Sequence, residues 1–566
     1  MEMFVKKVKI NSNQQHALYL VESYRDREGV PQHRTLKKYG ILEELEKQDP
    51  YILTKLQTEA RRLTEAKEAH QSIEIDFTKL QEKSIVSYGH VFLEAEYRNL
   101  QVPEFIAAYQ RRSKSVYDLD RILQLLVYSR ILNPSSKRKA HQDKSEFFGD
   151  FGDVKLEEVY KSLGDLGAMK DELTLHLHKR IQETRGRDCS LVFYDVTNYY
   201  FESEALKGYR QKGVSKENQE TGIVQMGLFI DNEGIPITYE LFPGNTNDLS
   251  TMRPILEKIK KEYDLGKITI VADKGNNTGE NLAYIDNEDD YYIISQRIRA
   301  RGTELANIVL DQEDYEWNEG GTFKSKSVER DRIVKRADGS VRTITEHLLC
   351  FWSKEEENYQ RAKRGLLDER IEKFIENPSL LNASNSFGIK KYFKKVIVDK
   401  KTGEVLKAKA TYEFNQEKYD RDLALDGYYC IVTNDLSLEP LDIIHHYHQL
   451  SKIEESFKVI KTDLEGRPIY VWTDSHIDGH FLTCYLALTI LRLLQLRLEM
   501  KRTIPQIIDA LKDAKMIELE DGIYKMNKNQ EVFHELSNTY DLIIDKAYYK
   551  EEMLKQLFKN LVYYNR

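Results

Sequence analysis

The chain has 566 residues, 40% of them hydrophobic and 31% charged, with a net charge of −8. This length exceeds what one hydrophobic core usually organises, so we expect three or four domains of a soluble globular protein. Because the net charge is negative, the overall charge does not favour binding to nucleic acid. Any DNA contact therefore depends on local basic segments. The four cysteines are far apart and form no CxxC pair, which indicates neither a disulfide framework nor a zinc ribbon and fits a reducing cytosol.

The N-terminal third contains two modules that are candidates for DNA binding. Residues 1–40 alternate in strand fashion, carry eight Lys/Arg against four Asp/Glu, and precede a helical pattern that runs to about residue 69. We predict a small β-plus-helix module over residues 1–80. Helical spacing then runs from about residue 92 to residue 183, which predicts a helical domain over residues 81–187.

The next segment changes to a strand period. The runs SLVFYDVTNYYF, GIVQMGLFID and IPITYELF predict three strands, the last two joined by a turn at Asn232–Gly234. A helix from about Ser250 precedes the strand KITIVAD, and a helix from about Thr278 precedes the strand YYIIS. This alternation predicts an α/β fold whose core begins with residues 188–295.

Hairpin signals interrupt the α/β pattern over residues 296–425. We predict one hairpin that turns at Asp338–Gly339, a second that turns near Thr402–Gly403, and hence a β-rich inserted domain. The strand GYYCIVTN and a helix over Glu439–Leu464 then complete the core within residues 426–500. Residues 501–566 are predicted to be helical.

Targeting and membrane signals are weak. The start, MEMFVKKVKINSNQQ, lacks the apolar core of a signal peptide. The longest apolar stretch, FLTCYLALTILRLLQL, is interrupted by Arg492, which predicts a buried helix rather than a membrane span. We expect a cytoplasmic protein that is associated with the nucleoid when bound to DNA and has no membrane partner.

Three carboxylates stand out by their positions. Two hydrophobic runs end in an aspartate, LVFYDVT at Asp195 and ITIVADKG at Asp273. The run YHQLSKIEESFKVIK places Tyr447, Glu454 and Lys461 at seven-residue spacing, which returns a side chain to the same helix face after two turns. Carboxylates from two strands and a helix can converge on Mg²⁺, which prefers oxygen ligands. Taken singly, each is also an ordinary strand-end or surface residue.

Glu455 is the rival for the helix position. It lies about 100° around the helix from Glu454, and the register with Tyr447 and Lys461 favours Glu454.

Together these motifs resemble one family, the DDE transposases of bacterial insertion sequences. The resemblance covers roughly residues 90–500 and rests on YDVTNYYFE, VADKGNNTGENL and YHQLSKIEESFKVIK. The branch is insertion-sequence family four, whose glutamate helix reads Tyr-x2-Arg-x3-Glu-x6-Lys. The resemblance implies an RNase H-like core interrupted by the β-rich insertion. It also implies that Asp195, Asp273 and Glu454 are catalytic residues that bind two Mg²⁺ ions, with Mn²⁺ as a substitute.

The same resemblance implies the activity and the partners. We expect cleavage at the ends of an insertion sequence and transfer of the 3′-OH ends to target DNA. The expected partners are double-stranded DNA, namely the terminal inverted repeats and the target, and a second copy in a synaptic homodimer. Tyr447, Lys458 and Lys461 are the candidate DNA contacts, whereas Leu450 occupies the signature arginine position and cannot donate to phosphate. The alternatives are an RNase H-like structure-specific nuclease and a catalytically decayed DNA-binding derivative.

Overall fold

A computed structural model of the chain divides into two compact units, residues 1–82 and residues 83–566. The structure describes residues 3–10, 15–25, 31–49, 51–68, 84–149, 151–203, 205–213, 221–299, 304–336, 339–376, 388–397, 410–519 and 522–561.

The first unit is a three-stranded antiparallel sheet with two helices, as the strand alternation and helical spacing predict. Its elements are β1 (Met3–Lys9), β2 (His16–Arg25), β3 (Pro31–Ile41), α1 (Leu42–Gln48) and α2 (Ile52–Glu68). Leu18, Leu42 and Leu56 form its buried core. The helical pattern is interrupted at Asp49, which precedes a proline in the sequence, because proline disfavours the helical conformation of the residue before it.

The second unit begins with a short strand and six helices. These are β4 (Ser84–Ser87), α3 (His90–Asn99), α4 (Val102–Arg112), α5 (Leu119–Leu132), α6 (Lys137–Gln142), α7 (Leu156–Ala168) and α8 (Lys170–Arg185). Asp118 caps α5 by accepting a hydrogen bond from the backbone N–H of Arg121. The helix ends at Leu132, immediately before Asn133–Pro134, because proline cannot continue the helical hydrogen-bond pattern.

The predicted α/β region forms a mixed sheet with helices on both faces. Its first part contains β5 (Leu191–Tyr200), β6 (Ile223–Ile230), β7 (Pro236–Pro243), α9 (Met252–Glu262), β8 (Thr269–Ala272), α10 (Gly279–Asn287) and β9 (Tyr291–Ser295). β5, β8 and β9 are parallel neighbours, whereas β6 and β7 are added antiparallel beside β5. The predicted turn joins β6 to β7, with Gly234 at a φ of +85°.

Residues 296–425 combine strands and helices. They contain α11 (Glu304–Leu310), β10 (Glu316–Trp317), β11 (Phe323–Lys335), β12 (Val341–Ser353), α12 (Lys354–Glu376), β13 (Phe393–Ile397), β14 (Ala410–Phe414) and α13 (Gln416–Ala424). β11 pairs with β12 and β13 with β14, as the two hairpin predictions require. Asp338, Thr402 and Gly403, the predicted turn residues, lie outside the described residues.

The β-rich segment extends the main sheet. β12 pairs with β15 (Tyr428–Thr433), which also pairs with β9, so the nine described strands run in the order β10-β11-β12-β15-β9-β8-β5-β6-β7. The β-rich stretch therefore contributes three strands to the sheet that carries Asp195. Sequence periodicity does not reveal this pairing, since it connects strands about 80 residues apart.

Helices and a second small sheet follow. The elements are α14 (Pro440–His448), α15 (Ser451–Lys458), a π-helical turn (Val459–Asp463), α16 (Asp474–Arg497), α17 (Ile504–Asp513), β16 (Lys515–Glu518), β17 (Ile523–Met526), α18 (Glu531–Thr539), β18 (Tyr548–Lys550) and α19 (Glu551–Lys559). The helix α16 is long and apolar enough to cross a membrane, but 94% of its apolar window is buried inside the protein. The prediction of a buried helix is therefore confirmed.

The prediction that only helices follow residue 500 is wrong. β16, β17 and β18 form a four-stranded sheet with β4, in the order β18-β17-β16-β4. Each of these strands has three or four residues, which is too short for a two-residue period to stand out from the helical spacing around it.

Candidate active site

The main sheet places Asp195 and Asp273 side by side. β5 and β8 are parallel, and their last registered pair is Tyr194 with Ala272, so Asp195 on β5 and Asp273, the first residue after β8, occupy the next position. Neighbouring strands lie about 5 Å apart. The prediction that Asp195 ends its strand is wrong. β5 continues to Tyr200, and this last part pairs with β6 alone. The strand that ends here is β8.

Both aspartates belong to the same face of the sheet. Successive residues of a strand point to opposite faces, and Phe193 on β5 and Val271 on β8 belong to the core that also contains Ile453 and Phe457 of α15. Their neighbours Tyr194 and Ala272 belong to the core on the opposite face. By this alternation Asp195 and Asp273 face the side on which α15 packs.

Neutral hydrogen-bond donors surround the Asp273 carboxylate. Ser295 Oγ donates to Asp273 Oδ1 at 3.1 Å, and Tyr447 Oη donates to the same oxygen at 3.5 Å. Burial, together with the nearby Asp273 charge, raises the pKa of Tyr447 to about 12, so its phenol remains a donor at neutral pH. Among the described residues, no lysine or arginine forms an ion pair with Asp273. The described contacts of this carboxylate are therefore with neutral donors.

Two buried amide oxygens belong to residues that closely follow Asp273 in the chain. Asn276 Oδ1 and Asn277 Oδ1 are buried and accept no hydrogen bond from any described residue. Asn277 Nδ2 donates to the Ser295 carbonyl at 3.0 Å, which connects it to the serine that contacts Asp273. Buried acceptors are normally satisfied, so oxygens of this kind fit a polar ligand that the protein itself does not supply. Carboxylate and amide oxygens together are the ligand types of a hard divalent cation.

The helix that carries the third carboxylate is broken. Sequence spacing predicts one helix over Glu439–Leu464, but α14 ends at His448 and α15 begins at Ser451. Leu450, at the signature arginine position, is buried in the core with 8% exposure, and the backbone turns around it. A π-helical turn then replaces α-helix from Val459 to Asp463. The seven-residue spacing therefore does not translate into one straight face.

Glu454 and Glu455 have different environments. Glu454 is exposed at the first turn of α15, and within the described part of the chain it forms no ion pair. Glu455 pairs with the buried Arg492 of α16, with Oε2 3.0 Å from Nη1. Glu455 thus compensates an internal charge, whereas Glu454 is available to a ligand.

The structure pairs the two aspartates but does not close a three-carboxylate cluster. Among the described residues, no three His, Cys, Asp or Glu side chains are close enough together to hold one metal ion. α15 packs against β5 and β6, so Glu454 is carried on an element that contacts the strand of Asp195. The donor set fits a divalent cation at Asp195 and Asp273, with Glu454 on the neighbouring helix.

The candidate DNA contacts differ in exposure. Lys458 is exposed on α15, one turn after Glu454. Lys461 is half-buried, and its Nζ lies 5.6 Å from the centre of the Tyr199 ring on β5. Tyr447 is half-buried and contacts Asp273 as described above, which connects it to the carboxylate site.

Sequence reasoning missed Ser295, Asn276 and Asn277. Ser295 ends β9, the strand next to β8, so its position beside Asp273 depends on strand order and could not be found from spacing. The asparagines directly follow Asp273 in ITIVADKGNN, and this polar run after a buried strand was an available signal.

Two family models match the chain. The transposase DDE domain matches residues 190–490, and the N-terminal domain of IS1634 family transposases matches residues 5–77. No curated protein sequence matches the chain.

Two solved transposase structures resemble the fold distantly. The piggyBac transposase synaptic complex with hairpin DNA aligns at 7% identity over 80% of this chain and 87% of that chain, with a TM-score of 0.33. The Mos1 transposase paired-end complex with the left transposon end aligns at 11% identity over 31% of this chain and 58% of that chain, with a TM-score of 0.15. Neither similarity is close enough to define a shared fold.

The DDE-domain match spans more than half of the chain, and its range contains Asp195, Asp273 and Glu454. The chain therefore belongs to the DDE transposases of insertion sequences, and it is a DNA transposase.

Proposed function

We propose that this transposase cleaves the ends of its insertion sequence and transfers the 3′-OH ends to target DNA, with two Mg²⁺ ions held by Asp195, Asp273 and Glu454. The observation that carries the proposal is the register of β5 and β8, which sets Asp195 beside Asp273 on one face of the sheet. Carboxylates fixed on adjacent strands need little reorganisation to bind cations, because the backbone hydrogen bonds already hold them.

Mg²⁺ ions held by Asp195, Asp273 and Glu454 would supply activation of a water or hydroxyl nucleophile and stabilisation of the leaving oxygen in an in-line phosphoryl displacement. Asp273 would present one oxygen to this site, since Ser295 and Tyr447 both donate to its Oδ1 and so orient the carboxylate. A carboxylate held in this way keeps one orientation, which a metal ligand requires.

Glu454 is the preferred third ligand. Glu455 is engaged by Arg492, and withdrawing it would leave a buried guanidinium without its carboxylate. Glu454 forms no ion pair with any described residue. The break between α14 and α15 separates Glu454 from Tyr447, so α15 can adjust toward the strands when DNA and metal bind.

The wider architecture extends the same proposal. We assign residues 188–295 and 426–500 to an RNase H-like core, and residues 296–425 to its insertion. The mixed sheet with Asp195 and Asp273 on neighbouring parallel strands supports this assignment. We assign the partners as the terminal inverted repeats, the target DNA and a second copy of the chain in the synaptic complex. Mn²⁺ is expected to replace Mg²⁺, since it accepts the same oxygen ligands.

The test is cleavage of labelled DNA that carries the inverted repeats flanking the gene. Strand cleavage is expected with Mg²⁺ or Mn²⁺ and none with a chelator present. Cleavage of branched DNA without preference for the repeats would favour the structure-specific nuclease. Tight repeat binding without cleavage under either metal would favour the decayed derivative and refute the proposal.

A further inference from the structure

A second polar site lies in the same unit, away from the carboxylates. A cavity of about 240 Å³ is lined by residues of α5 and α6, by the loop after the π-helical turn and by α16. The lining includes the basic side chains Arg130 and Lys137, together with Glu465 and His480. Glu465 is the acid in this set, and it is exposed to solvent.

Two basic side chains in the cavity wall are buried without a carboxylate, and burial together with the nearby Arg130 holds the pKa of Lys137 well below its usual value. Arg130 is 6% exposed and Lys137 is 5% exposed, and among the described residues neither lies within ion-pair distance of an acid. The Arg130 guanidinium donates to the carbonyls of Leu464, Glu465 and Ser135 at 3.1 to 3.3 Å. Its Nε has no hydrogen-bond partner among the described residues, and the same is true of the buried Ser135 Oγ.

The groups around Lys137 provide no compensating charge. Its Nζ lies 3.3 Å from His480 Nδ1, and His480 Nε2 lies 3.1 Å from the Gly466 carbonyl. The carbonyl accepts from Nε2–H, which leaves Nδ1 of a neutral imidazole to accept from the ammonium. Burial and the two nearby cations hold the pKa of His480 well below its usual value. Cys484 is also neutral here, because burial raises the pKa of its thiol.

Buried cations of the described residues differ in their partners: Lys324 and Lys326 donate to uncharged oxygens of Gln312 and Asp311, whereas others are paired with acids. Arg187 and Asp231 form a fully buried ion pair at 2.7 Å, and Arg492 pairs with Glu455. A buried basic group without a carboxylate is costly to keep charged, so Arg130 and Lys137 beside a cavity favour an anionic ligand, whose charge would hold Lys137 protonated.

We propose that this cavity binds a phosphodiester group of the transposon DNA strand, with Lys137, Arg130 and Ser135 as its donors. The inference rests on the proposed DNA substrate. The loop that lines the cavity is anchored to the catalytic strand, because Ile469 N donates to the Tyr200 carbonyl at 3.0 Å. Tyr200 follows Asp195 by five residues, or about 17 Å of strand. Duplex DNA covers the same length with roughly five base pairs.

Aromatic rings beside the cavity fit the same ligand. Tyr470 lines the cavity and is 53% exposed, and Trp472 is equally exposed with the Arg210 guanidinium 5.3 Å from its ring centre. Exposed rings beside a phosphate site offer stacking surfaces for the adjoining bases. A free inorganic phosphate would use the cationic donors but not these rings.

The test is metal-free binding of the full-length protein to repeat DNA that carries one neutral methylphosphonate linkage, moved stepwise along each strand. For the wild type, one position is expected to weaken binding about 10- to 100-fold, the size of a charge-assisted contact. Lys137→Met should bind unmodified DNA more weakly by a similar factor and should be insensitive to the modification at that position. Lys139→Met is the matched control, because Lys139 is on the same helix but is exposed and paired with Asp143.

Folding and the ligand source are checked in parallel. Lys137→Met should unfold at the wild-type temperature or above it, since it removes a buried amine that has no carboxylate partner among the described residues. Should this variant fold poorly, Ser135→Ala replaces it, with an expected loss of a few-fold at the same linkage. Equal responses of wild type and Lys137→Met at every linkage would overturn the proposal. Stabilisation of the wild type alone by inorganic phosphate, with no sensitive linkage, would assign a free anion and also overturn it. Cleavage of unmodified repeats is scored separately, so loss of the proposed activity is distinguishable from loss of this contact.

Discussion

The strand-borne and helix-borne parts of the candidate active site are held in different ways. Asp195 and Asp273 are set by the register of β5 and β8, which backbone hydrogen bonds fix. Glu454 and its neighbours are carried on a helix that is broken near Leu450 and ends in a π-helical turn. One part of the site is built in advance, whereas the other part lies on an interrupted element.

This difference has a physical origin. Sliding two strands by one residue would move every side chain to the opposite face of the sheet and expose its core, so strand register is strongly specified. A helix that packs through Ile453 and Phe457 can shift slightly without losing the same burial. Interrupted helices and π-helical turns are frequent at functional sites. The helix is therefore the part that we expect to respond to DNA and metal.

The largest expected effect comes from the strand-borne pair. Asp273→Asn should reduce cleavage by about a thousand-fold or more, because a neutral amide forfeits several kcal/mol of transition-state stabilisation by metal. Asp195→Asn should reduce cleavage by a similar factor. Cleavage of labelled repeat DNA measures both variants, and repeat binding without metal serves as the control that should be nearly unchanged. Near wild-type cleavage by either variant would remove that aspartate from the catalytic set.

The two helix glutamates should separate activity from stability. Glu454→Gln should abolish most cleavage without loss of stability, since Glu454 is exposed. Glu455→Gln should lower the free energy of unfolding by about 1–2 kcal/mol, a value reduced from that of a fully buried pair because the Glu455 side chain is 40% exposed.

Denaturant unfolding measures the stability of both variants, and cleavage of labelled repeat DNA measures their activity. Arg492 keeps hydrogen bonds to Gln495 Oε1 at 2.8 Å and to Ser456 Oγ at 3.1 Å, so Glu455→Gln should still fold. The reverse pattern, with Glu454→Gln unstable and Glu455→Gln inactive but stable, would exchange the two roles.

The donors to Asp273 should give smaller, graded effects. Ser295→Ala removes the donor at 3.1 Å, and Tyr447→Phe removes the donor at 3.5 Å. We expect about a ten-fold loss of cleavage for the serine and only a few-fold loss for the tyrosine, because hydrogen bonds weaken with distance. The pH profile of cleavage between pH 6 and 9 should be unaltered by Tyr447→Phe, since burial raises the pKa of the Tyr447 phenol to about 12. A larger effect for Tyr447→Phe would indicate a direct DNA contact instead.

The difference between the strand-borne and helix-borne parts of the site also explains what could be predicted from sequence. Asp195, Asp273 and Glu454 are candidates from sequence because each belongs to a strong local pattern. The predicted strands are present, whereas the helix predicted over Glu439–Leu464 is broken. Ser295 was not recognisable, since its position depends on β9 lying beside β8. The role of Glu455 was equally hidden, because its partner Arg492 is 37 residues away and appeared only as an interruption of an apolar run.

The smallest expected effects concern the two lysines of the helix-borne part. Each lost phosphate contact should lower the slope of log affinity against log salt by about 0.9, so Lys458→Ala and Lys461→Ala should both reduce the slope by that amount. They should differ in stability. Lys458 is exposed, whereas Lys461 lies over the Tyr199 ring and forfeits a cation–π contact of about 0.5–1 kcal/mol. Repeat-DNA binding across a salt series, together with denaturant unfolding, measures both quantities. An unchanged salt slope for Lys461→Ala with reduced stability would make Lys461 a packing residue, and the DNA-facing surface of this helix would then end at Lys458.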